Sequence, residues 1–354
     1  MTALLAIVAL IVLAAGAMLL FLVITEYRPG TTEVIPVPVQ LPKSSIPPDS
    51  TNSRVHEFTI ISWNIGYAGL GKDNDFFFDG GKTVQPSHES TEKNFEGILR
   101  FIRSNDSVDF IFIQEIDIDS KRSYHTDQAA RVAAALPGFL PVFALNYNCR
   151  FIPILPWEPI GKVESGLLSL SRWPVASATR HQYDVNFPWP KRLVFLKRCF
   201  VPERIPLGDG KELVMVNLHN SAFDYSGRLR KEELKQLQDF LENEYTKGNY
   251  VVAGGDWNSN PRGFTAGTVA TGDRTHDAPP PIGEQFIPGW KFAFDPEVST
   301  NRDVDMPYRK GTTGTTVIDF FVVSPNVEVS AVKTFDLGFT YSDHNPVRLT
   351  FRLM

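Results

Sequence analysis

FTIISWN, residues 58–64, is a short apolar stretch rich in β-branched and aromatic residues, and it predicts a buried β-strand. The stretch ends on the polar side chain of Asn64. Similar apolar stretches recur along the rest of the chain and predict further strands. These lie at residues 108–113, 166–170, 193–201, 213–218, 250–253, 317–323 and 347–351.

Helices are predicted in two places. Apolar residues recur at helical spacing between residues 95 and 102, after Ser90 and Thr91, which can cap a helix. A second helix is predicted at about residues 227–245, with Gly248 as its stop. Strands, a few helices and adjacent strand pairs together predict an α/β layered domain with mixed sheets.

Composition excludes several classes of protein. The 354 residues include 43% hydrophobic residues, which supports a large core and excludes a disordered chain. The net charge of −5 argues against a protein that coats nucleic acid. Cys149 and Cys199 form no CxxC metal motif and are expected to be buried thiols, although the sequence leaves a disulfide between them open.

The N-terminus has the composition of a membrane anchor. No charged residue occurs from Ala3 to Ile24, a run of 22 positions, and about 20 apolar residues in a helix span a bilayer. A cleaved signal peptide is the alternative, because residues 15–17 resemble a cleavage site. We favour an uncleaved single-pass anchor, since no basic residue precedes the run and apolar residues continue beyond that site. The flanking basic residues do not decide which side of the membrane the rest of the chain occupies.

A proline-rich segment follows the apolar run. Residues 26–54 contain six prolines, a density that prevents helix and favours an extended, semi-rigid chain. The sequence therefore predicts three parts: a transmembrane anchor at residues 1–25, a Pro-rich linker at residues 26–54 and one α/β domain at residues 55–354.

Polar residues capable of chemistry lie near the ends of the predicted strands. A single acidic residue at such a position is more often a turn former or a cap. A whole set is different, because each member would cost solvation energy if it were buried without a partner. The set comprises Asn64, Glu115, His219, Asn220, Asp256, Asn258, Asp319, Asp343 and His344.

The residue types in this set indicate a reaction. Carboxylate and amide oxygens without a thiolate suit a hard divalent cation such as Mg²⁺ better than zinc. A histidine beside a carboxylate can accept a proton from water near neutral pH. Together these groups fit metal-assisted attack of water on a phosphate ester.

Seven motifs occur in a fixed order along the chain, and each is weak alone although the combination is specific. They are SWNI (62–65), QE (114–115), GLLSLSRWPV (166–175), NLH (217–219), GDWN (255–258), IDF (318–320) and SDH (342–344). In these motifs the chain resembles the endonuclease/exonuclease/phosphatase superfamily, which includes pancreatic-type deoxyribonucleases, abasic-site endonucleases, inositol-phosphate 5-phosphatases and neutral sphingomyelinases. The resemblance covers about residues 55–354. It implies a four-layer α/β/β/α sandwich of two mixed β-sheets, with the active site across the strand ends.

The resemblance also implies how metal and substrate are bound. Glu115, with Asn64 nearby, would hold Mg²⁺ or Mn²⁺ against a non-bridging phosphate oxygen, and Asp343 would complete the metal or water network. Asn258 would contact the phosphate or the transition state. Asn220 is grouped with Asn258 as a substrate-binding residue.

Catalytic roles follow from the same resemblance. His344 would be the general base, and Asp319 would fix its tautomer and stabilise its imidazolium charge. Asp256 would orient the attacking water, and Asn258 would act with it on the phosphate. His219 would donate a hydrogen bond to the phosphate or to the leaving oxygen. In-line displacement at phosphorus requires charge neutralisation on one side and a base on the other, and these roles supply both.

Two motif details distinguish branches of the superfamily. Some nuclease relatives carry an acidic residue two positions after the strand-end asparagine, whereas this chain has Gly66. His219 in the fourth motif resembles the deoxyribonuclease and sphingomyelinase branches. A DNA-repair activity is therefore disfavoured, although general nuclease activity is not excluded.

These observations predict a membrane-anchored phosphodiesterase that acts as a monomer, with a phospholipid or sphingolipid head group as its substrate. One alternative is a membrane-anchored nuclease, for which the acidic net charge gives no support. A second is a non-catalytic binding module with the same fold, which would require loss of catalytic residues that are all present. Specificity is expected to lie in the loops at residues 66–90, 146–162 and 262–312.

Aromatic and basic side chains outside the motifs have less specific interpretations. Phe76-Phe77-Phe78 and the tryptophans 157, 189 and 290 are each expected to pack in the core, although as a group they suit a protein near lipid. The basic pairs at residues 191–192 and 197–198 could contact phosphate, but short basic pairs are more often on solvated faces, and solvated faces are expected here.

Overall fold

A computed structural model of the chain describes residues 1–38, 56–208, 210–224, 226–265 and 279–354. Four α-helices lie within these residues: α1 (Thr2–Ile24), α2 (His88–Ser104), α3 (Gln128–Ala135) and α4 (Arg228–Thr246). The strands there are β1 (Thr32–Ile35), β2 (Phe58–Asn64), β3 (Phe110–Asp117), β4 (Leu140–Ile152), β5 (Gly161–Ser171), β6 (Ser177–Gln182), β7 (Cys199–Pro206), β8 (Glu212–His219), β9 (Tyr250–Asp256), β10 (Lys291–Ala293), β11 (Asn301–Arg302), β12 (Thr315–Thr316), β13 (Asp319–Val323), β14 (Val327–Thr334) and β15 (Val347–Leu353).

Two mixed sheets form the centre of the domain. The first has the strand order β14-β15-β2-β3-β5-β4, in which β2 and β3 pair in parallel and the other neighbours are antiparallel. The second has the order β1-β6-β7-β8-β9-β13-β10, in which β8 and β9 are the parallel pair. Strands β11 and β12 form a separate two-stranded ribbon.

The sheets pack face to face, with helices outside them. Phe58 and Phe351 of the first sheet share one apolar core with Met215 and Phe321 of the second. Helices α2 and α3 cover the outer face of the first sheet, and α4 covers that of the second. This arrangement confirms the predicted four-layer α/β/β/α sandwich.

The helices form where the sequence predicts them, with one difference at a cap. The apolar residues of α2 between Phe95 and Ile102 are buried, as their spacing predicts. Its N-cap is Ser87, whose hydroxyl accepts from the Ser90 backbone amide at 3.2 Å, rather than Ser90 or Thr91. Helix α4 follows Gly227 and ends shortly before Gly248, close to the predicted limits.

Some strands differ from the prediction. The strand expected at residues 193–201 begins only at Cys199, because residues 191–193 form a 3₁₀ turn and residues 194–198 run alongside a cavity. The strand expected at residues 317–323 begins at Asp319. Strands β4, β6 and β14 were not predicted, and their half-buried, alternating patterns explain why a search for apolar stretches missed them.

The start of the predicted linker belongs to the domain. Glu26 Oε1 lies 3.0 Å from Lys197 Nζ, and β1 pairs antiparallel with β6 at the edge of the second sheet. The prediction of an extended spacer is therefore wrong for residues 26–35, because the β-branched residues of β1 complete a sheet edge and bury Ile35. Residues 39–54 of the predicted linker lie outside the described residues.

Helix α1 agrees with the predicted anchor. It contains 23 residues and is long and apolar enough to cross a membrane. Of its residues, Leu22 is buried against the rest of the described structure. A signal sequence near an N-terminus has the same properties.

Both cysteines are free and buried. Burial raises the pKa of the Cys149 and Cys199 thiols, so both favour the protonated form. The structure thus agrees with the prediction of buried apolar thiols.

A buried polar seam crosses the apolar core between the sheets. Gln114 Nε2 donates to Asn217 Oδ1 at 2.8 Å, and Asn217 Nδ2 donates to Ser169 Oγ at 3.2 Å. Glu203 also lies in this seam, where burial raises the pKa of its carboxyl group to about 8, partly offset by the Ser169 hydroxyl. One of its oxygens has no hydrogen-bond partner among the described residues. The protonated form of Glu203 is therefore favoured at neutral pH.

We predict that Glu203→Gln removes a pH dependence of stability. The pKa of Glu203 in the folded protein, about 8, lies above the ordinary value of 4.5. At pH values between 4.5 and 8, unfolding therefore releases a proton. The free energy of unfolding then falls as pH rises through this range. The variant should match wild type near pH 5 and exceed it near pH 8 by about 2–4 kcal/mol in urea unfolding. Glu328→Gln, at an exposed position, is the control. Equal pH slopes for wild type and the Glu203 variant would contradict the assignment.

Candidate active site

The site lies at one edge of the sandwich, where strands of both sheets end. Asp256, the last residue of β9, is in register with His219 on β8 and with Asp319 on β13. Asn64, the last residue of β2, approaches from the other sheet and donates from Nδ2 to Asp256 Oδ2 at 3.0 Å. Strand pairing therefore brings together four residues that are far apart in sequence.

Glu115 enters the site through an irregularity in β3. Its φ of 53° is left-handed, and the register with β5 shifts between Ile113 and Ile116. The carboxylate lies 3.4 Å from Asn64 Nδ2 and 3.8 Å from His219 Nε2. Burial alone would raise the pKa of Glu115, but the positive charges around it, that of His219 foremost, lower it. Glu115 is therefore held as a carboxylate.

His344 and Asp319 form a buried pair. His344 Nδ1 lies 2.8 Å from Asp319 Oδ2, and His344 Nε2 lies 3.1 Å from Asn301 Nδ2 and 3.9 Å from Asp256 Oδ2. Burial disfavours the imidazolium form, but the carboxylates of Asp319 and Asp343 outweigh this effect and raise the pKa of His344 to about 10. Burial raises the pKa of Asp319 to about 6. One ring nitrogen is thus fixed by a carboxylate while the other faces the centre of the site.

Asp256 contacts groups from several elements of the site. Its Oδ2 lies 3.3 Å from His219 Nε2, and its Oδ1 accepts from the Asn258 backbone amide at 2.9 Å. Burial would raise the pKa of Asp256, but the charge of His219 and its hydrogen bond hold it well below the usual range. Burial lowers the pKa of His219 itself, with Arg198 adding to the effect.

Asn258 and Asn220 have different positions. Asn258 lines the cavity and has a left-handed φ of 48°, fixed by its Nδ2 donating to the Asn220 carbonyl at 2.9 Å. Asn220 is buried behind it, and its Oδ1 accepts from the Tyr183 hydroxyl at 2.8 Å. Asn220 is not among the cavity-lining residues. Its backbone carbonyl holds the side chain of Asn258 and its Oδ1 is used by Tyr183, so its role as a substrate-binding residue stays a prediction.

Asp343 explains why the chain has glycine at position 66. A Cβ atom on Gly66 would lie 2.7 Å from Asp343 Oδ1, and the φ of Gly66 is 48°. Any side chain there would collide with this carboxylate and adopt a strained backbone conformation. An acidic side chain at position 66 would therefore collide with the carboxylate of Asp343, which comes from a distant part of the chain.

The donor atoms of the site fit a divalent cation. The carboxylates of Glu115, Asp256, Asp319 and Asp343 lie in one small region, where like charges repel each other unless positive charge is present. One oxygen each from Asp256 and Asp319 and a nitrogen of His344 lie within 4.8 Å of one another. Glu115 and Asp343 add carboxylate oxygens, the donors that a hard cation prefers, whereas the Asn64 Oδ1 accepts from the Gly66 backbone amide at 3.0 Å.

A cavity of about 870 Å³ adjoins these residues. Six of the predicted polar residues contribute to its lining: Glu115, His219, Asp256, Asn258, Asp343 and His344. Apolar side chains from residues 152–163 and 187–196 form much of the remaining wall, together with Phe76 and Phe78. The site therefore combines a charged region with an adjacent apolar chamber, and all three loops expected to set specificity contribute lining residues.

Three further residues of the site were not predicted from the motifs. Asn301 contacts His344, and Arg122 stacks 3.8 Å from the Tyr67 ring centre while it pairs with Asp117. Arg198 also lines the cavity. The expectation that residues 197 and 198 are solvated is wrong, since only 6% of Lys197 and 8% of Arg198 is exposed. The signal in the sequence that could have indicated this burial was the position of the basic pair directly before a buried strand.

The aromatic residues divide into two groups. Trp290 is buried, as expected, whereas Trp157 and Trp189 are 79% and 58% exposed, so the expectation of packing is wrong for these two. Both lie in the segments whose other side chains line the apolar chamber. Phe78 is exposed by 38% and contacts Phe77 at a ring separation of 4.2 Å.

Comparison with known proteins gives a consistent result. Residues 61–344 match the Endonuclease/Exonuclease/phosphatase family. An endonuclease/exonuclease/phosphatase from Beutenbergia cavernae has a similar structure, with a TM-score of 0.53 and 19% identity over 84% of this chain and 72% of that one. TDP2 from Caenorhabditis elegans gives 0.51 and 13% over 87% and 77%, and the human Nocturnin catalytic domain gives 0.51 and 15% over 84% and 95%. These likenesses show the fold. A search of curated proteins found no match.

We predict that Gly66→Ala disturbs the site through its contact with Asp343. The added methyl group should lower the free energy of unfolding by about 1–3 kcal/mol, because a left-handed φ and a 2.7 Å contact act together. Gly263→Ala is a matched control, since Gly263 has a φ of 84° but no atom within 4 Å of the added carbon. Denaturant unfolding of both variants measures the difference. If Gly66→Ala costs no more than Gly263→Ala, the carboxylate does not constrain this position.

Proposed function

Because the chain belongs to the Endonuclease/Exonuclease/phosphatase family, we propose that it is a divalent-metal-dependent hydrolase that cleaves a phosphodiester with water as the nucleophile. The observation that carries the proposal is the buried His344–Asp319 pair, whose other ring nitrogen, Nε2, lies 3.9 Å from Asp256 Oδ2. A base, an oriented carboxylate and an oxygen-rich cation site are the groups that such a reaction needs.

His344 is the proposed general base. In the neutral ring, Nδ1–H donates to Asp319 and the lone pair of Nε2 accepts from the Asn301 amide or from a water molecule. Asp319 then stabilises the imidazolium that forms when Nε2 takes the proton of the attacking water. Asp256, which lies beside Nε2, is placed to accept the second hydrogen of that water and so to direct its lone pair at phosphorus.

Glu115, Asn64 and Asp343 are the residues that would hold the metal ion, Mg²⁺ or Mn²⁺. When bound, such an ion neutralises charge on a phosphate oxygen and among the surrounding carboxylates. Asn258 and His219 would donate hydrogen bonds to the phosphate. His219 Nε2 faces Asp256 and Glu115, and its Nδ1 has no partner among the described residues.

A lipid head group is the substrate class that we propose. The apolar chamber beside the charged site can receive a hydrocarbon part of the substrate, and Trp157 and Trp189 are exposed on the segments that line it. Tryptophan is favoured at membrane interfaces, where its ring is amphipathic. Glu26, which follows helix α1 closely, lies 3.3 Å from Arg192 in one of these segments and 3.0 Å from Lys197 directly after it, and so ties the apolar helix to the chamber wall.

We further propose that residues 1–25 anchor the protein in a membrane as a single-pass helix and that it acts as a monomer. The support for the anchor is the length and apolar composition of α1 together with its nearly complete exposure. Carbonate extraction of membranes and light scattering in detergent test these two statements.

His344→Ala is predicted to lower kcat/KM for an activated phosphodiester by about 10²–10⁴-fold, because water then lacks its base. Glu115→Gln should cause a loss of similar size and also raise the metal concentration needed for half-maximal rate. Both variants should keep the wild-type circular dichroism spectrum. His125→Ala, at an exposed position, is the control. Retention of full activity in both site variants would refute the assignment.

Chelation is predicted to abolish turnover reversibly. EDTA should stop hydrolysis and added Mg²⁺ or Mn²⁺ should restore it, because the clustered carboxylates need a cation to bind an anionic substrate. The measurement is the initial rate before and after metal is returned to the chelated protein. Turnover that persists after exhaustive chelation would reject the metal.

A substrate panel tests the substrate class. Full-length protein in detergent should hydrolyse sphingomyelin or a glycerophospholipid faster than single-stranded or double-stranded DNA, RNA or bis(p-nitrophenyl) phosphate. A preference for nucleic acid would favour the nuclease alternative instead. Inactivity toward every phosphodiester, with metal present, would favour a non-catalytic binding module.

A further inference from the structure

Arg198 has an environment that the protein alone does not explain. It precedes β7 and is 8% exposed, yet its side chain has no hydrogen bond or ion pair with any described residue. Its neighbour Lys197 differs, since Lys197 Nζ lies 3.0 Å from Glu26 Oε1 and donates to the Arg192 carbonyl at 2.9 Å. Removing a guanidinium from water without a partner is costly, so its position calls for a ligand.

The nearby carboxylates are already engaged. Arg198 feels the charges of Glu115, Glu233 and Asp256. Glu233 accepts from the backbone amide and the hydroxyl of Ser221 at 2.9 and 2.5 Å. Glu115 and Asp256 face His219 and belong to the catalytic region. None of the three lies within ion-pair distance of Arg198 in the described part of the chain.

Arg198 lies at the junction of the two parts of the cavity. Val194, Phe195 and Leu196, which closely precede it, line the apolar chamber, and Glu115 lines the charged region. A phosphate ester placed between the metal-binding carboxylates and the chamber would therefore meet this guanidinium. Arginine suits the position because its planar fork can bind two phosphate oxygens at once.

We propose that Arg198 is a substrate-binding residue that holds non-bridging oxygens of the phosphoester at the entrance to the apolar chamber. This inference rests on the proposed function, because it adds a phosphate contact to the same site. It gives the substrate two anchors on its phosphate, the cation site and Arg198, and it sets the apolar part of the substrate toward the chamber.

Binding of inorganic phosphate tests the proposal without turnover. Full-length protein in detergent with Mg²⁺ is titrated with phosphate by calorimetry, and thermal unfolding is recorded in parallel. Arg198→Met should weaken phosphate binding at least tenfold while the melting temperature without phosphate stays the same or rises, because an unpaired buried charge is removed. Arg192→Met, which removes a charge paired with Glu26, is the matched control and should bind phosphate as wild type does.

Different results would overturn the role of Arg198 and the proposed function. Unchanged phosphate affinity in Arg198→Met, or wild-type protein that binds no phosphate, would overturn the proposal, and a lower melting temperature with unchanged affinity would show a structural role. If Arg198→Met does not fold, Arg198→Lys decides: a loss of affinity of at least fivefold supports the fork contact and an unchanged affinity overturns it. The proposed function fails separately, if wild-type protein hydrolyses no phosphodiester, because phosphate binding needs no turnover.

Discussion

The register that sets Asp256 beside both His219 and Asp319 is the constraint on which the rest of the site depends. It follows from the parallel pairing of β8 with β9 and the antiparallel pairing of β13 with β9, so the backbone hydrogen bonds of one sheet place three proposed catalytic side chains in a row. A slip of one residue in either pair would turn a side chain to the other face. The first sheet supplies Asn64 and Glu115 from its facing edge.

The buried carboxylates of the site also determine its electrostatics. Burial alone would neutralise several of the carboxylates, and the groups that keep Asp256 and Glu115 ionised are His219, His344 and nearby arginines. His344 responds by holding its proton strongly, to a pKa of about 10. A cation in the site would compete with that proton, so metal binding and the availability of the base are linked by the same charges.

Much of the fold and most of the site could be predicted from sequence, because the relevant signals are local. Apolar stretches that end in Asn64, His219 or Asp256 predict a buried strand and also identify the polar residue at the end of that strand as a candidate site residue. Other features depend on contacts between distant segments and have no local signal. The burial of Arg198 arises from a loop packed beside the cavity, and the contact of Asn301 with His344 arises from a bridge between segments 43 positions apart. Strand β1 was missed because its proline-rich surroundings predict a spacer, whereas β6 offers it an open sheet edge.

Attack of water at phosphorus is the central claim, and single-turnover hydrolysis in ¹⁸O-labelled water tests it most directly. The substrate is the most reactive phosphodiester of the panel, and the products are analysed by mass spectrometry. The account predicts that one ¹⁸O atom enters the phosphate-bearing product and that the alcohol product stays unlabelled. Label in the alcohol product would show cleavage of the carbon–oxygen bond and would contradict the account.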